Sequence, residues 1–110
     1  MVKIDTLTSS PLQKLSLRLE DGKLLKLTLK YSYTQSGWFY SLVYGSYSLN
    51  NRRLVNSLNI LDILKNILPF GIVCSVPDKY EPVFVDDFVS GRVSLYIANS
   101  EDLQVIEGLV

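Results

Sequence analysis

Acidic side chains are the residues of this chain with acid–base capacity, and they are densest where Asp86 and Asp87 stand together, preceded by Asp78 and Glu81. Two carboxylates facing each other across a cleft can divide general acid and general base work, as in glycoside hydrolysis. Neighbouring residues of an extended chain point to opposite faces, so Asp86 and Asp87 do not form such a pair and read as a solvated loop. The chain contains no histidine, which removes the commonest general base, the usual Ser–His–Asp arrangement and most zinc sites together. Its single cysteine, Cys74, cannot build a thiolate cluster or an internal disulfide. Within the apolar run from Gly71 to Val76 it reads as a buried, inert thiol, which suits a reducing compartment. Phosphate-cradling patterns of the GxxxxGKS/T or GxGxxG kind do not occur. No catalytic residue, metal site or cofactor is expected, and the chain reads as a non-enzyme.

Binding chemistry is the other possibility. Arg52 and Arg53, with aromatics nearby, have the composition of a sheet that stacks single-stranded nucleic acid or sugar. Trp38, Tyr40 and Tyr44 recur at strand spacing among leucines, however, which reads as core or interface packing. Eleven basic and eleven acidic residues cancel, so no direct nucleic-acid role and no membrane role is expected. Lys26 and Lys30 read as solvation of a polar sheet face, or as protection against edge-to-edge strand pairing. Arg92 has two readings: an ion pair with a carboxylate such as Asp87, or a reach across a subunit interface.

The elements that position these residues are mainly strands. At 110 residues, 47% hydrophobic and 20% charged, the chain fits one β-rich domain over residues 1–110, with 1–10 as a lead-in and 104–110 as a possible tail, Leu103 to Val110 reading as a last strand or a frayed tail. The start has no basic-then-apolar leader, and no apolar run approaches the ~20 residues of a membrane span, which implies synthesis in the host cytoplasm without a signal peptide. Leucines alternate at 15, 17 and 19 and again through Leu25, Leu27 and Leu29, predicting two half-buried strands. A three-residue loop of Glu20, Asp21 and Gly22, with Gly22 left-handed, pairs Leu17 with Leu25 and Leu15 with Leu27; a two-residue loop would set Leu17 against Lys26. A third strand, Trp38 to Tyr44, follows a loop of Thr34 to Gly37 that pairs Tyr33 with Trp38, Tyr31 with Tyr40 and Leu29 with Leu42. Tyr47 to Val55 reads as a further extended stretch broken by a turn at Asn50 to Arg53. Apolar residues three and four apart predict one short helical segment near Asn59 to Asn66, ended by Pro69 and Gly71. Ile72 to Val76 and Val93 to Ala98 complete the strands. The predicted fold is a small antiparallel β-barrel or sandwich, built from a meander around Leu15, Leu17, Leu25, Leu27, Leu29, Trp38, Tyr40 and Leu42.

Residue order adds a resemblance. Pro11-Leu12 with the alternating strands, the strand Trp38-Phe39-Tyr40-Ser41-Leu42, the Asn59 segment, the turn Leu68-Pro69-Phe70-Gly71 and the strand Gly91-Arg92-Val93-Ser94-Leu95-Tyr96 together resemble the phage baseplate plug protein family. The likeness runs from about Pro11 to about Leu103. It implies a structural subunit of a contractile phage tail, virion-located near the hub and tail-tube end. Its implied partners are other baseplate, hub and tube proteins, joined by several symmetric copies of itself. Trp38, Asn59, Pro69, Phe70, Gly71, Gly91, Leu95 and Tyr96 carry the family pattern as structural residues. Tyr31, Tyr33, Tyr47 and Tyr80, with Arg92, are the candidate interface residues, since a core of this size cannot hold every aromatic. The alternative is a small β-barrel ligand-binding module for sugar or single-stranded nucleic acid; a hydrolase using Asp86, Asp87 or Glu81 ranks third.

Overall fold

A computed structural model describes residues 1–19, 21–61, 68–77 and 81–108. Its strands are β1 (Val2–Lys3), β2 (Leu12–Arg18), β3 (Leu24–Ser32), β4 (Gly37–Tyr44), β5 (Tyr47–Arg53), β6 (Gly71–Ser75) and β7 (Ser94–Ala98), with two short helices, α1 (Asp87–Ser90) and α2 (Ser100–Gly108). They form two antiparallel sheets, one ordered β2-β3-β4-β5 and one ordered β1-β7-β6. The sheets stay separate, so the sandwich form of the prediction is the one adopted and the barrel form is not.

The period-two pattern explains the packing. Leu25, Leu27, Leu29, Trp38, Tyr40, Leu42 and Tyr44 leave the inner face of the four-stranded sheet and are buried, with Leu15 and Leu17 packed at its edge. Ile72, Cys74 and Leu95 meet them from the inner face of the second sheet. The opposite face of that sheet presents Val73 and Ala98 to Leu103 and Ile106 of α2, a smaller core of its own. The molecule is thus layered as sheet, sheet and helix.

The β2–β3 hairpin has the predicted register, Leu15 opposite Leu27 and Leu17 opposite Leu25. Leu19 and Lys23 close its turn with a 3.0 Å backbone hydrogen bond, and Gly22 has φ +83°, a conformation only glycine adopts without strain. The next hairpin departs from prediction by two residues: Tyr31 pairs with Trp38, Leu29 with Tyr40 and Leu27 with Leu42. Its loop is Tyr33 to Ser36, and Gly37 belongs to β4. A two-residue slip keeps every side chain on its face, so face-matching could not detect it. The Arg53 guanidinium occupies the space a Cβ on Gly37 would enter and donates to the Gln35 and Ser36 carbonyls at 3.4 and 3.3 Å.

The expected turn at Asn50 to Arg53 is instead a β-bulge within β5. Tyr40 pairs with Arg52 and Leu42 with Leu49, so Asn50 and Asn51 together oppose Ser41. Asn51 takes φ +53°, and its N–H donates to Ser41 Oγ at 2.9 Å. Most of the predicted helix near Asn59 to Asn66 lies outside the described residues. At its start, Ser57 bridges to Cys74 and the Ile60 N–H donates to the Ile72 carbonyl, so this stretch runs along β6. The C-terminal segment, expected as a strand or tail, is the helix α2. Asn99 and Asp102 form a reciprocal capping box, each side chain accepting the other's backbone N–H at 2.8 and 3.1 Å. Lys26 and Lys30 sit on β3, a central strand, so they do not protect an edge.

Candidate functional site

Asp87 is buried at the start of α1 with its neighbour Asp86 exposed, and its carboxylate is fully engaged by donors. The expectation of a solvated pair therefore fails for Asp87. Its Oδ2 accepts the backbone N–H groups of Val83 and Phe84, both at 2.9 Å, and its Oδ1 accepts Arg92 Nε at 3.0 Å. Arg92 reaches on to the Glu81 carbonyl through Nη2 at 2.6 Å and lies 5.3 Å from the Phe84 ring centroid. A carboxylate this occupied serves as a clamp: it gathers residues 81–92 into a fixed loop. Gly91, left-handed at φ +82°, ends α1 and turns the chain back so that Arg92 can reach Asp87.

That loop is fastened to the four-stranded sheet by aromatics. Trp38 Nε1 donates to the Phe84 carbonyl at 3.0 Å, its ring lies 4.9 Å from Phe88, and the Tyr31 hydroxyl donates to the Val83 carbonyl. A second joint lies where Phe70 stacks edge-on against Tyr44, centroids 5.0 Å apart. The Tyr44 hydroxyl donates to Asp21 in the β2–β3 turn. That bond, followed by burial, pushes the Tyr44 hydroxyl up to about 12, and it holds the Asp21 carboxyl below the usual carboxylate range. At a third joint Asn59 Oδ1 accepts the N–H groups of Leu61 and Ile72 at 3.0 and 3.2 Å, beside Gly71. Burial, with Glu81 and Asp87 adding to it, pushes the Cys74 thiol up to about 12, consistent with the inert thiol expected.

The residues singled out in the sequence separate into two sets. Trp38, Phe70 and Leu95 are core, Asn59 and Gly71 make one joint, Gly91 caps α1, and Tyr96 packs half-buried against the α2 layer; Pro69 is exposed. Among the candidate interface residues, Tyr31 and Arg92 make the bonds within the chain just described. Tyr33 and Tyr47 are 69% and 44% exposed, which leaves their rings available to a neighbour. Tyr80 and Asp78 lie outside the described residues. Glu81, the other acidic candidate, accepts the Asn56 N–H at 2.7 Å. A cleft of about 430 Å³ opens between the N-terminal segment, the end of β2 and the Pro69–Phe70 turn, and among the described residues Phe70 is the only aromatic lining it. Among the described residues no three acidic or cysteine side chains gather into a metal-holding group, and no helix is long and apolar enough to cross a membrane.

The joints connect sheet to loop through Trp38 and sheet to sheet through Phe70, Asn59 and Gly71. A family model described as cyanophage baseplate Pam3 plug gp18 matches residues 1–101. The chain belongs to this baseplate plug family. The match takes in both sheets, the Asp87 clamp and the first residues of α2, so the plug pattern and the two-sheet fold are coextensive. A search of curated proteins found no match to the chain.

Two features of the plug fold lay outside the sequence reading. The burial of Asp87 depends on donors from Val83, Phe84 and Arg92, which no local pattern brings together. The Asn99–Asp102 cap did carry a signal, an Asn with an acid three residues on, ahead of apolar Leu103 and Ile106.

Proposed function

We propose that this chain is a structural subunit of a contractile-tail baseplate, seated near the hub and tail-tube end in several symmetric copies and acting by assembly. The observation that carries this reading is the plug-family match over residues 1–101. The architecture supports it. Polar groups of the described buried side chains are all hydrogen-bonded, and loops are fastened to sheets by Trp38, Tyr31 and Asp87, as suits a part that holds its shape against neighbours. Tyr33 and Tyr47 are the rings offered to those neighbours, since aromatic side chains are enriched at interface centres.

The test is quantitative mass spectrometry of the purified phage particle encoded with this chain. The reading expects a fixed ratio of this chain to the other baseplate proteins, one that survives stripping of loosely bound material. Presence in the infected-cell lysate with absence from the particle would contradict it.

A further inference from the structure

The outward face of the four-stranded sheet carries charge of one sign. No strand from β2 to β5 contains an aspartate or glutamate, although the whole chain has eleven acidic residues to balance eleven basic ones. The register gathers the cations on one side: Lys30 stands between Leu12 and Phe39, Lys26 between Ser16 and Val43, Lys14 opposite Thr28, and Arg53 opposite Phe39. Lys14, Lys26 and Lys30 are exposed and make no ion pair among the described residues. Arg53 lies 5.7 Å from the Phe39 ring centroid, an arginine laid on an aromatic as at interface centres. Lys26 and Lys30 occupy a central strand, so defence of a sheet edge does not account for them.

We propose that this face docks on a carboxylate-rich surface of a different protein chain. A charge-neutral molecule has little long-range pull on a polyanion, and a local patch acts over roughly a Debye length, about 8 Å at physiological salt. Such a patch selects a neighbour already close, which favours a protein surface over nucleic acid. The apolar members of the face, Phe39 half-buried and Val43 45% exposed, suit a protein partner as well. A second copy of this chain has no concentrated acidic surface to meet it among the described residues: Asp87, Asp102, Asp21 and Glu81 are bonded within their own subunit, and the exposed Asp5, Asp86 and Glu101 stand on three separate segments, after β1, before α1 and in α2. The location of the partner, though not the chemistry of the face, rests on the baseplate reading.

The experiment has two arms. In the first, amide NMR follows the isolated chain titrated with poly-L-glutamate and, separately, with duplex DNA of equal charge. Shifts confined to the outward residues of β2 to β5, weakened roughly tenfold or more by Lys26→Glu with Lys30→Glu, are expected. Lys14→Glu, on the edge strand, gives a smaller loss and guards against misfolding of the double variant. Absence of saturable binding, shifts elsewhere, or tighter binding of the DNA at this face would overturn the proposal. In the second arm, carbodiimide treatment of the intact particle joins lysine amines to carboxylates in contact with them. Amide links from Lys26 or Lys30 to another protein are expected; links to a second copy of this chain, or acetylation of these lysines as fast in the particle as in the isolated chain, would overturn it. Absence of the chain from the particle is a failure of the baseplate reading, and the titration then decides the proposal alone.

Discussion

Asn59 and Gly71 meet so closely that neither can change alone. A Cβ on Gly71 would lie 2.7 Å from Asn59 Oδ1 and 2.7 Å from Leu103 Cδ2, while the same Oδ1 accepts the N–H of Ile72, the next residue. The amide therefore ties the start of the 59–61 turn to β6 with α2 closing over both. Gly71→Ala is expected to cost ~1–3 kcal/mol through overpacking, and Asn59→Ala ~1–3 kcal/mol through buried N–H groups left without an acceptor. Urea denaturation of each single variant and of the pair checks this. The pair should lose less than the sum, because removing the Asn59 side chain makes room for the new methyl group.

Breaking the Asp87 clamp should cost more. Arg92→Ala leaves a carboxylate of 1% exposure without its cation, an expected loss of about 3 kcal/mol, moderated by the two backbone donors that remain. Arg92→Lys should recover only part of this, since one ammonium cannot reach both Asp87 Oδ1 and the Glu81 carbonyl as the guanidinium does. Equilibrium unfolding measures both variants.

The tyrosines divide by whether their hydroxyls are used inside the subunit. Tyr33→Ala and Tyr47→Ala should leave the melting temperature within a few degrees of the parent and reduce incorporation into particles, on the proposed assembly reading. Tyr31→Ala, which loses the bond to Val83 and ring contacts with Tyr33 and Trp38, should destabilise the isolated chain itself. Thermal melts of the free protein beside particle yields separate the two outcomes.

Low pH should weaken the fold at two named places. The Asp21 carboxyl is held below the carboxylate range by the Tyr44 hydroxyl, and Asp102 by the chain's amino terminus, 3.0 Å away. For a group whose folded pKa is depressed, the unfolded chain binds more protons, so its contribution is present above the ordinary carboxylate pKa and lost as pH falls through the lower folded value. The melting temperature should drop as pH falls below the ordinary carboxylate value near 3.8, and Tyr44→Phe should flatten part of that slope. Cys74, with its thiol near 12, should resist alkylation at pH 8 until denaturant is added; reaction of the native protein at the rate of a free thiol would contradict its placement.

Legibility in the sequence followed the range of the interactions involved. The β2–β3 register could be read because alternation and a left-handed glycine, Gly22, both act within a dozen residues. The β3–β4 register could not, since a slip of two conserves faces and the deciding group, Arg53, arrives from another strand to cover Gly37. Asn50 and Asn51 looked like a turn because their tolerance of positive φ serves a bulge equally well. The pairing of Arg92 with Asp87 was one of two readings open from the residues; the burial of that pair was not visible. Separation of charge onto one sheet face was hidden by a net charge of zero, and it emerges only when strands are assigned.

Whether this chain is a built-in part of the baseplate is decided by cryo-electron microscopy of the intact particle. Density for the two-sheet fold is expected in symmetric copies at the distal end of the tail, with Tyr33, Tyr47 and the Lys26–Lys30 face against neighbouring chains. A complete baseplate lacking this fold, or the fold found elsewhere in the particle, would contradict it.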